Sequence, residues 1–241
     1  NTLSLSGTVD LSGVTLLNFE TILVADGQTA TINATDLSGK TMSITMAGTG
    51  SLVIVSDSSS HDFSNITVSK GTATVTLDVN IDKNISTSTI NNIIDKFDVA
   101  SGSTLTLSNS QFGTHSGINT GTLKLSDTTL TGTQIKTIND NSTNAIDLTN
   151  VTTISTATSS EMLEIVNNTG ATFTTAANYA VTISDTVSAT VANTIVNDTT
   201  GIVTATVTSG TAASLNSALV NASATDALTL TLTDTVLASG S

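Results

Sequence analysis

Short runs in which aliphatic and polar side chains alternate recur along the whole chain, at residues 51–55, 73–81, 104–107, 122–125, 180–183, 202–207 and 228–232. Successive side chains of an extended strand point to opposite faces, so each run places one face in a core and the other in water. Val, Ile, Leu and Thr supply most of these positions, and β-branched residues fit a pleated, half-buried surface. Between the runs lie Gly, Asn, Asp and Ser, which turn the chain by tolerating left-handed backbone or by bonding their own main chain. Proline is absent. The chain is predicted to be mostly β.

The kind of core follows from what is missing. With five Phe, one Tyr and no Trp in 241 residues, the interior cannot be built around large rings. Many small and medium aliphatics must fill a narrow space instead. A hydrophobic fraction of 38% and abundant β-branched residues also separate the chain from acidic disordered tails.

A helical signal interrupts the strands. Residues 88–97 place Ile90, Ile93, Ile94 and Phe97 at i, i+3, i+4 and i+7, the spacing of an amphipathic helix. Shorter versions pair Ile135 with Ile138, Met162 with Val166, Val191 with Ile195 and Leu215 with Leu219. Thr158 and Glu161 match a capping box before the second of these. From Ile135 to Met162 is 27 residues, from Met162 to Val191 is 29 and from Val191 to Leu215 is 24, and Asn139, Asn167, Asn197 and Asn221 follow the four helical turns.

One strand-and-turn unit per repeat, too small to bury its own apolar face, must stack on its neighbours. The predicted fold is a right-handed parallel β-solenoid (β-helix) with short helical turns in its C-terminal rungs. Residues 1–120 read as irregular rungs, those over 17–44 without helices, and residues 121–241 as helix-bearing repeats, with loops at 56–62 and 111–120. Tandem β-sandwiches, which also show short alternating strands, are the alternative.

Charge and composition remove several functions. A net charge of -13, with six lysines and no arginine, repels phosphates, so no nucleic-acid partner is expected. Without cysteine there is no disulfide scaffold or thiol catalysis, and its absence favours an exported protein. No run of about 20 apolar residues suits a membrane span. The first residues show neither a basic n-region nor an apolar h-region, so a fragment, a mature form or a protein addressed from its far end is expected.

The run Asn-Phe-Glu-Thr-Ile at 18–22, within 14–27, followed by Asp-Leu-Ser-Gly-Lys-Thr-Met-Ser-Ile at 36–44, resembles segments of bacterial surface-layer proteins. Residues 201–219 and 224–231 are similar to repeats of large type-I-secreted surface proteins, including RTX-type adhesins. The resemblance covers about a third of the chain. It implies an extracellular, cysteine-free, β-rich wall or coat protein. The calcium-binding nonapeptide Gly-Gly-x-Gly-x-Asp of RTX blocks does not occur, so their calcium sites do not carry over.

Individual residues offer little catalytic chemistry. His61, flanked by Asp57 and Asp62, is expected to be a solvated loop histidine, and His115 lies far from it in sequence. The pairs Asp95 with Asp98 and Glu161 with Glu164 have helical spacing. Sugar hydrolysis needs two carboxylates across a cleft, and these pairs are read instead as decorating exposed helix faces. Catalysis is not expected. Calcium is the one candidate cofactor, because hard cations favour oxygen ligands, with Asp140 and Asp198 in the repeat turns as its candidates. Thr-x-Thr runs at 72–76 and 229–233 have the look of an ice-binding face. Such a face needs the same pair in register on successive rungs, and the uneven repeat spacing argues for threonine as an ordinary outward β-former. The expected role is therefore structural, a surface-layer or coat component that self-assembles. An adhesin module binding a cell or glycan surface is the alternative.

Overall fold

The computed structural model describes every residue except 59, 91–92, 114, 116–119, 143–144 and 236–241. The chain divides into two compact units, Asn1–Ser126 with Ile138–Ile146, and Asp127–Thr137 with Asp147–Ser241.

The first unit begins with β1 (Thr2–Leu5), β2 (Val9–Asp10), β3 (Thr21–Val24), β4 (Thr29–Asn33) and the single-turn α1 (Ala34–Leu37). It continues with β5 (Met42–Met46), β6 (Ser51–Val55), β7 (Ile66–Lys70), β8 (Thr74–Val79), β9 (Lys83–Asn84) and β10 (Lys96–Val99). After these come β11 (Thr104–Leu107), the single-turn α2 (Asn109–Phe112) and β12 (Thr122–Leu125). Neighbours in the sheets are not neighbours in the chain. One sheet runs β1-β3-β5-β7 and a second β2-β4-β6-β8-β10, while β9, β11 and β12 stand side by side in a third. The ladders are parallel. Thr29 stands opposite Ser51 and Ser51 opposite Thr74, steps of 22 and 23 residues. An immunoglobulin-like sandwich is built on antiparallel neighbours and does not produce these ladders.

Parallel register stacks like on like. Ile32, Ile54, Leu77 and Phe97 form one continuous inward row across four strands, and all four are fully buried. Full burial of such a side chain contributes about 1.5–3 kcal/mol. The rings are spent at the ends and corners of these rows, where Phe97 stacks on Phe112 at 6.2 Å. Backbone amides saved at one level are satisfied by the next, as where Ser51 N–H reaches Gln28 O at 2.8 Å and Ala47 N–H reaches Val24 O at 3.0 Å.

Among the described residues of 88–97 no helix is present. Residues 91 and 92 lie outside the described residues. On either side, Ile93 and Ile94 N–H both reach the Ile90 carbonyl, at 3.2 and 3.3 Å, and Lys96–Val99 is strand β10. A tight turn running into a strand buries Ile90, Ile93, Ile94 and Phe97 as completely as a helix would, so their spacing does not separate the two. The first unit also contains helical turns where none was expected. α2 carries a complete capping box, with Ser108 accepting from Gln111 N–H and Gln111 answering at Ser108 N–H, and its last two residues are the first two of the segment read as a loop. Most of the remainder of that loop lies outside the described residues.

The second unit contains β13 (Thr129–Leu130), β15 (Thr153–Ala157), α4 (Ser159–Val166), β16 (Phe173–Thr175) and β17 (Ala180–Val187), while α3 (Gly132–Asp140) and β14 (Ile146–Leu148), between β13 and β15 in the chain, fall across the division of the two units. It ends with α5 (Ala189–Asp198), β18 (Val203–Val207), α6 (Ala212–Ala218) and β19 (Ala227–Thr229). Its sheet runs β13-β15-β17-β18-β19, again parallel. Helices follow strands as the repeat predicts, and α4, α5 and α6 pack in sequence against one another. The Thr158–Glu161 capping box is present, Thr158 N–H donating to Glu161 at 2.7 Å and Glu161 N–H to the Thr158 hydroxyl at 3.3 Å. In α4 the buried partner of Met162 is Ile165, one position before the expected Val166.

Candidate functional site

The carboxylates have a common occupation. Asp26 accepts the Thr49 N–H at 2.8 Å, Asp36 that of Leu16 at 3.1 Å, Asp82 that of Thr104 at 2.7 Å and Asp95 that of Val75 at 2.7 Å. Asp57 takes both the N–H and the hydroxyl of Thr35. In the second unit Asp185 takes the N–H and hydroxyl of Ser159, at 2.7 and 2.6 Å, and Asp226 and Asp234 take the N–H groups of Val203 and Ala212, at 3.0 and 2.6 Å. Each bond joins residues 20 to 26 apart. The aspartates are therefore staples between segments distant in the chain, giving partners to amides that the strand ladders and helices leave unpaired. Bonds from Thr49 hold the Asp26 carboxyl below the ordinary carboxylate range, and the Ser159 hydroxyl and N–H do the same for Asp185.

A second set of acids and amides closes corners locally. Asp10 accepts from Ser12, Asp62 from Ser64, Asn84 from Ser86 and Asp147 from Thr149, each two residues on. The residue between is apolar, and in Phe63, Ile85 and Leu148 it is buried. An acid or amide, an apolar residue and a hydroxyl residue thus form a recurring corner that pins one core side chain. The pattern is visible in the sequence at all four places and escaped the reading from strand periodicity.

His61 is not solvated. It is 1% exposed, its ring stacked on Phe63 at 5.6 Å and 5°. Ser56 Oγ lies 2.9 Å from Nε2 and Ser58 Oγ 3.4 Å from Nδ1, while the His61 N–H donates to Ser88 Oγ at 2.8 Å. Burial follows from a one-residue parallel bridge, Asp62 opposite Thr89, which draws the segment 61–63 against 88–89. Thr89 N–H reaches His61 O and Phe63 N–H reaches Thr89 O, both at 2.9 Å. A hydroxyl within bonding distance of an imidazole is the beginning of a nucleophile–base pair. Here the hydroxyl is itself buried, Nδ1 faces a serine, and the neighbouring Asp57 is engaged by Thr35. The cluster is a satisfied polar knot inside the first unit.

Burial pushes the His61 imidazole below its ordinary value, with Asp57 opposing and Lys83 adding to the shift. The unfolded chain therefore binds a proton more readily than the folded one, so this contribution is complete above about pH 6.5 and is lost as pH falls below it. The midpoint of thermal unfolding is expected to fall between pH 7 and pH 5, and the fall to be smaller in His61→Gln. Equal slopes in the two proteins over that window would contradict the buried, neutral imidazole.

The carboxylate pairs considered for sugar chemistry do not act as pairs. Asp95 is held by Lys70 and by Val75 N–H, while Asp98 stands on β10 opposite Asp78. Glu161 closes the helix cap, and Glu164 lies 3.4 Å from Lys136. Partial burial opposes ionisation of Glu161, but the Thr158 N–H, the hydroxyls of Thr133 and Thr158, and Lys136 outweigh it, and its carboxyl sits below the usual range. Of the calcium candidates, Asp140 is the exposed last residue of α3. Asp198 closes α5 and accepts the hydroxyl of the buried Tyr179 at 2.8 Å, which with burial raises the phenol's pKa. Neither is brought together with two further acids, and among the described residues no three His, Asp or Glu side chains converge as a metal site does. Among the described helices none is long and apolar enough to cross a membrane. Comparison of the chain with family models, with curated proteins and with solved structures gave no match.

Proposed function

We propose that each unit is a right-handed parallel β-solenoid and that the protein is a structural component of an extracellular bacterial surface layer or coat, acting by self-assembly. The observation that carries the reading is the alternation of sheets along the first unit. Odd-numbered strands β1 to β7 go to one sheet and even-numbered strands β2 to β8 to another, so each turn of chain adds one strand to both. Parallel crossovers of this kind are right-handed in about 98% of cases. A body of this construction is stiff because every level bonds its neighbours through backbone and aspartate staples.

β1, β2 and β19 stand at the ends of their sheets within this chain, and the edges of such strands pair with further chain, whether of this molecule or of another copy. The acidic surface, with few lysines to neutralise it, opposes contact between copies until divalent cations bridge them, and calcium is the proposed cofactor of assembly. Electron microscopy of purified protein with calcium and with chelator tests this. Ordered sheets or filaments that disperse in chelator are expected. Dispersed monomers in both conditions would overturn the coat reading, and monomers that bind a cell or glycan surface saturably would replace it with adhesion.

A further inference from the structure

We propose that the outer face of the β1-β3-β5-β7 sheet is an ordered-water lattice that binds ice. The inference uses a different surface from the sheet edges of the coat reading and does not rest on that reading.

Two rows cross this face in register. Thr2, Thr21, Ser43 and Thr67 stand opposite one another in the first, and Ser4, Leu23, Thr45 and Ser69 in the second. Seven of the eight positions carry a hydroxyl. Their inward neighbours Ile22, Val24, Ile44 and Met46 are buried, so these rows necessarily face outward. The ladders run without a register shift, unlike β15-β17 and β17-β18, where bulges break the outward threonine rows of the second unit. Uneven loop lengths between levels do not disturb this order, because register is set by the ladder and not by the length of chain between rungs.

Three properties identify the partner. The first is spacing. Parallel strands lie about 4.8 Å apart and alternate residues about 6.6 Å apart along a strand, a rectangular net close to the repeats of water oxygens on ice faces. The second is free bonding capacity. The Thr67 hydroxyl reaches the Met42 carbonyl at 3.4 Å, whereas those of Thr2, Ser4, Thr21, Ser43, Thr45 and Ser69 have no partner among the described residues. They are left to water, and the threonine methyls beside them restrain that water to a few positions. The third is charge. In a chain of net charge -13, none of the eight positions is ionisable, so the face complements a neutral lattice rather than an ion. A crystalline polysaccharide is also neutral, but its sugar rings are held by exposed aromatic side chains, and no aromatic residue stands among the eight positions: Phe63, Phe97, Phe112, Phe173 and Tyr179 are buried, and Phe19, ahead of β3, is half-buried. Ser4, Leu23 and Thr45 of the second row, with Ser6, Ala25 and Ala47 beyond them, line an open trough of about 330 Å³.

The experiment grows ice slowly from a dilute solution of the full chain and measures the protein in the ice fraction. Wild-type protein is expected to enter the ice, Thr45→Arg to be excluded like a non-binding control, and Thr206→Arg on β18 to behave as wild type. Leu23→Thr completes the second row and is expected to raise incorporation, which keeps the test decisive should the arginine variant fold poorly by circular dichroism. Exclusion of the wild type from ice, incorporation of folded Thr45→Arg, or retention on crystalline cellulose or chitin without entry into ice would overturn the proposal. The coat reading is judged separately, by microscopy in the absence of ice.

Discussion

Replacing Phe97 with alanine is expected to lower the unfolding free energy of the first unit by about 3–5 kcal/mol. Phe97 ends the buried row that passes through Ile32, Ile54 and Leu77, and its ring meets those of Phe112, at 6.2 Å, and His115, at 5.4 Å. A thin core of aliphatics has no spare large side chain to move into the space a ring leaves, so the cavity term adds to the lost transfer energy. Urea unfolding followed by circular dichroism measures the effect, and Phe97→Leu should retain more than half of the stability that Phe97→Ala loses. A loss below about 1 kcal/mol in the alanine variant, the size of an ordinary surface substitution, would show that this row is not the centre of the core.

Gly201→Ala is the corresponding expectation for the second unit. A Cβ there would lie 2.1 Å from the Tyr179 carbonyl oxygen and 2.5 Å from that of Asn178. Both are backbone atoms and cannot swing aside. The same spot is tied by the Thr199 hydroxyl, which donates to Tyr179 O at 2.6 Å and accepts from Gly201 N–H at 2.9 Å. Separating the two backbones costs about 3 kcal/mol or more, at the upper end of overpacking effects. It should also expose the Tyr179 hydroxyl, now bonded to Asp198. Gly13→Ala serves as the control, since no atom lies within 4 Å of its Cβ position, and its effect should stay within about 0.5 kcal/mol. Equal melting temperatures for wild type and Gly201→Ala would refute the close approach.

Much of this construction was legible in the residues. The run at 51–55 is strand β6, 104–107 is β11 and 122–125 is β12, with Leu52, Ile54, Leu105, Leu107, Leu123 and Leu125 inside. The capping box at Thr158 and Glu161 formed as read, because both halves lie within one turn of chain. The misreadings share a cause. At residues 90–97 a helix stripe and a turn feeding a strand bury the same side chains. The choice fell to a strand because β8 offered Lys96–Val99 a parallel partner along Thr76–Val79. His61 was read as solvated because the polar residues around it in sequence are what a loop contains, whereas the groups that cover it, Ser88 and Thr89, come from 27 and 28 residues later.

The aspartates make the same point about sites. Asp140 and Asp198 stood out because they sit in turns beside asparagines. The acids with a defined role, such as Asp26, Asp57 and Asp185, are defined by an amide 22 to 26 residues away in the chain. Nothing within five residues of Asp185 predicts Ser159 as its partner.

Period-two alternation, β-branched composition and local turn chemistry act over a few residues, and they decided which side chains face inward, where the chain bends and that the core would be thin. Register between parallel strands is a long-range property, chosen by whole rows of side chains and amides together. It alone decided which threonines stand in line on the outer face, which carboxylate meets which N–H, and that an imidazole flanked by acids would be sealed from water.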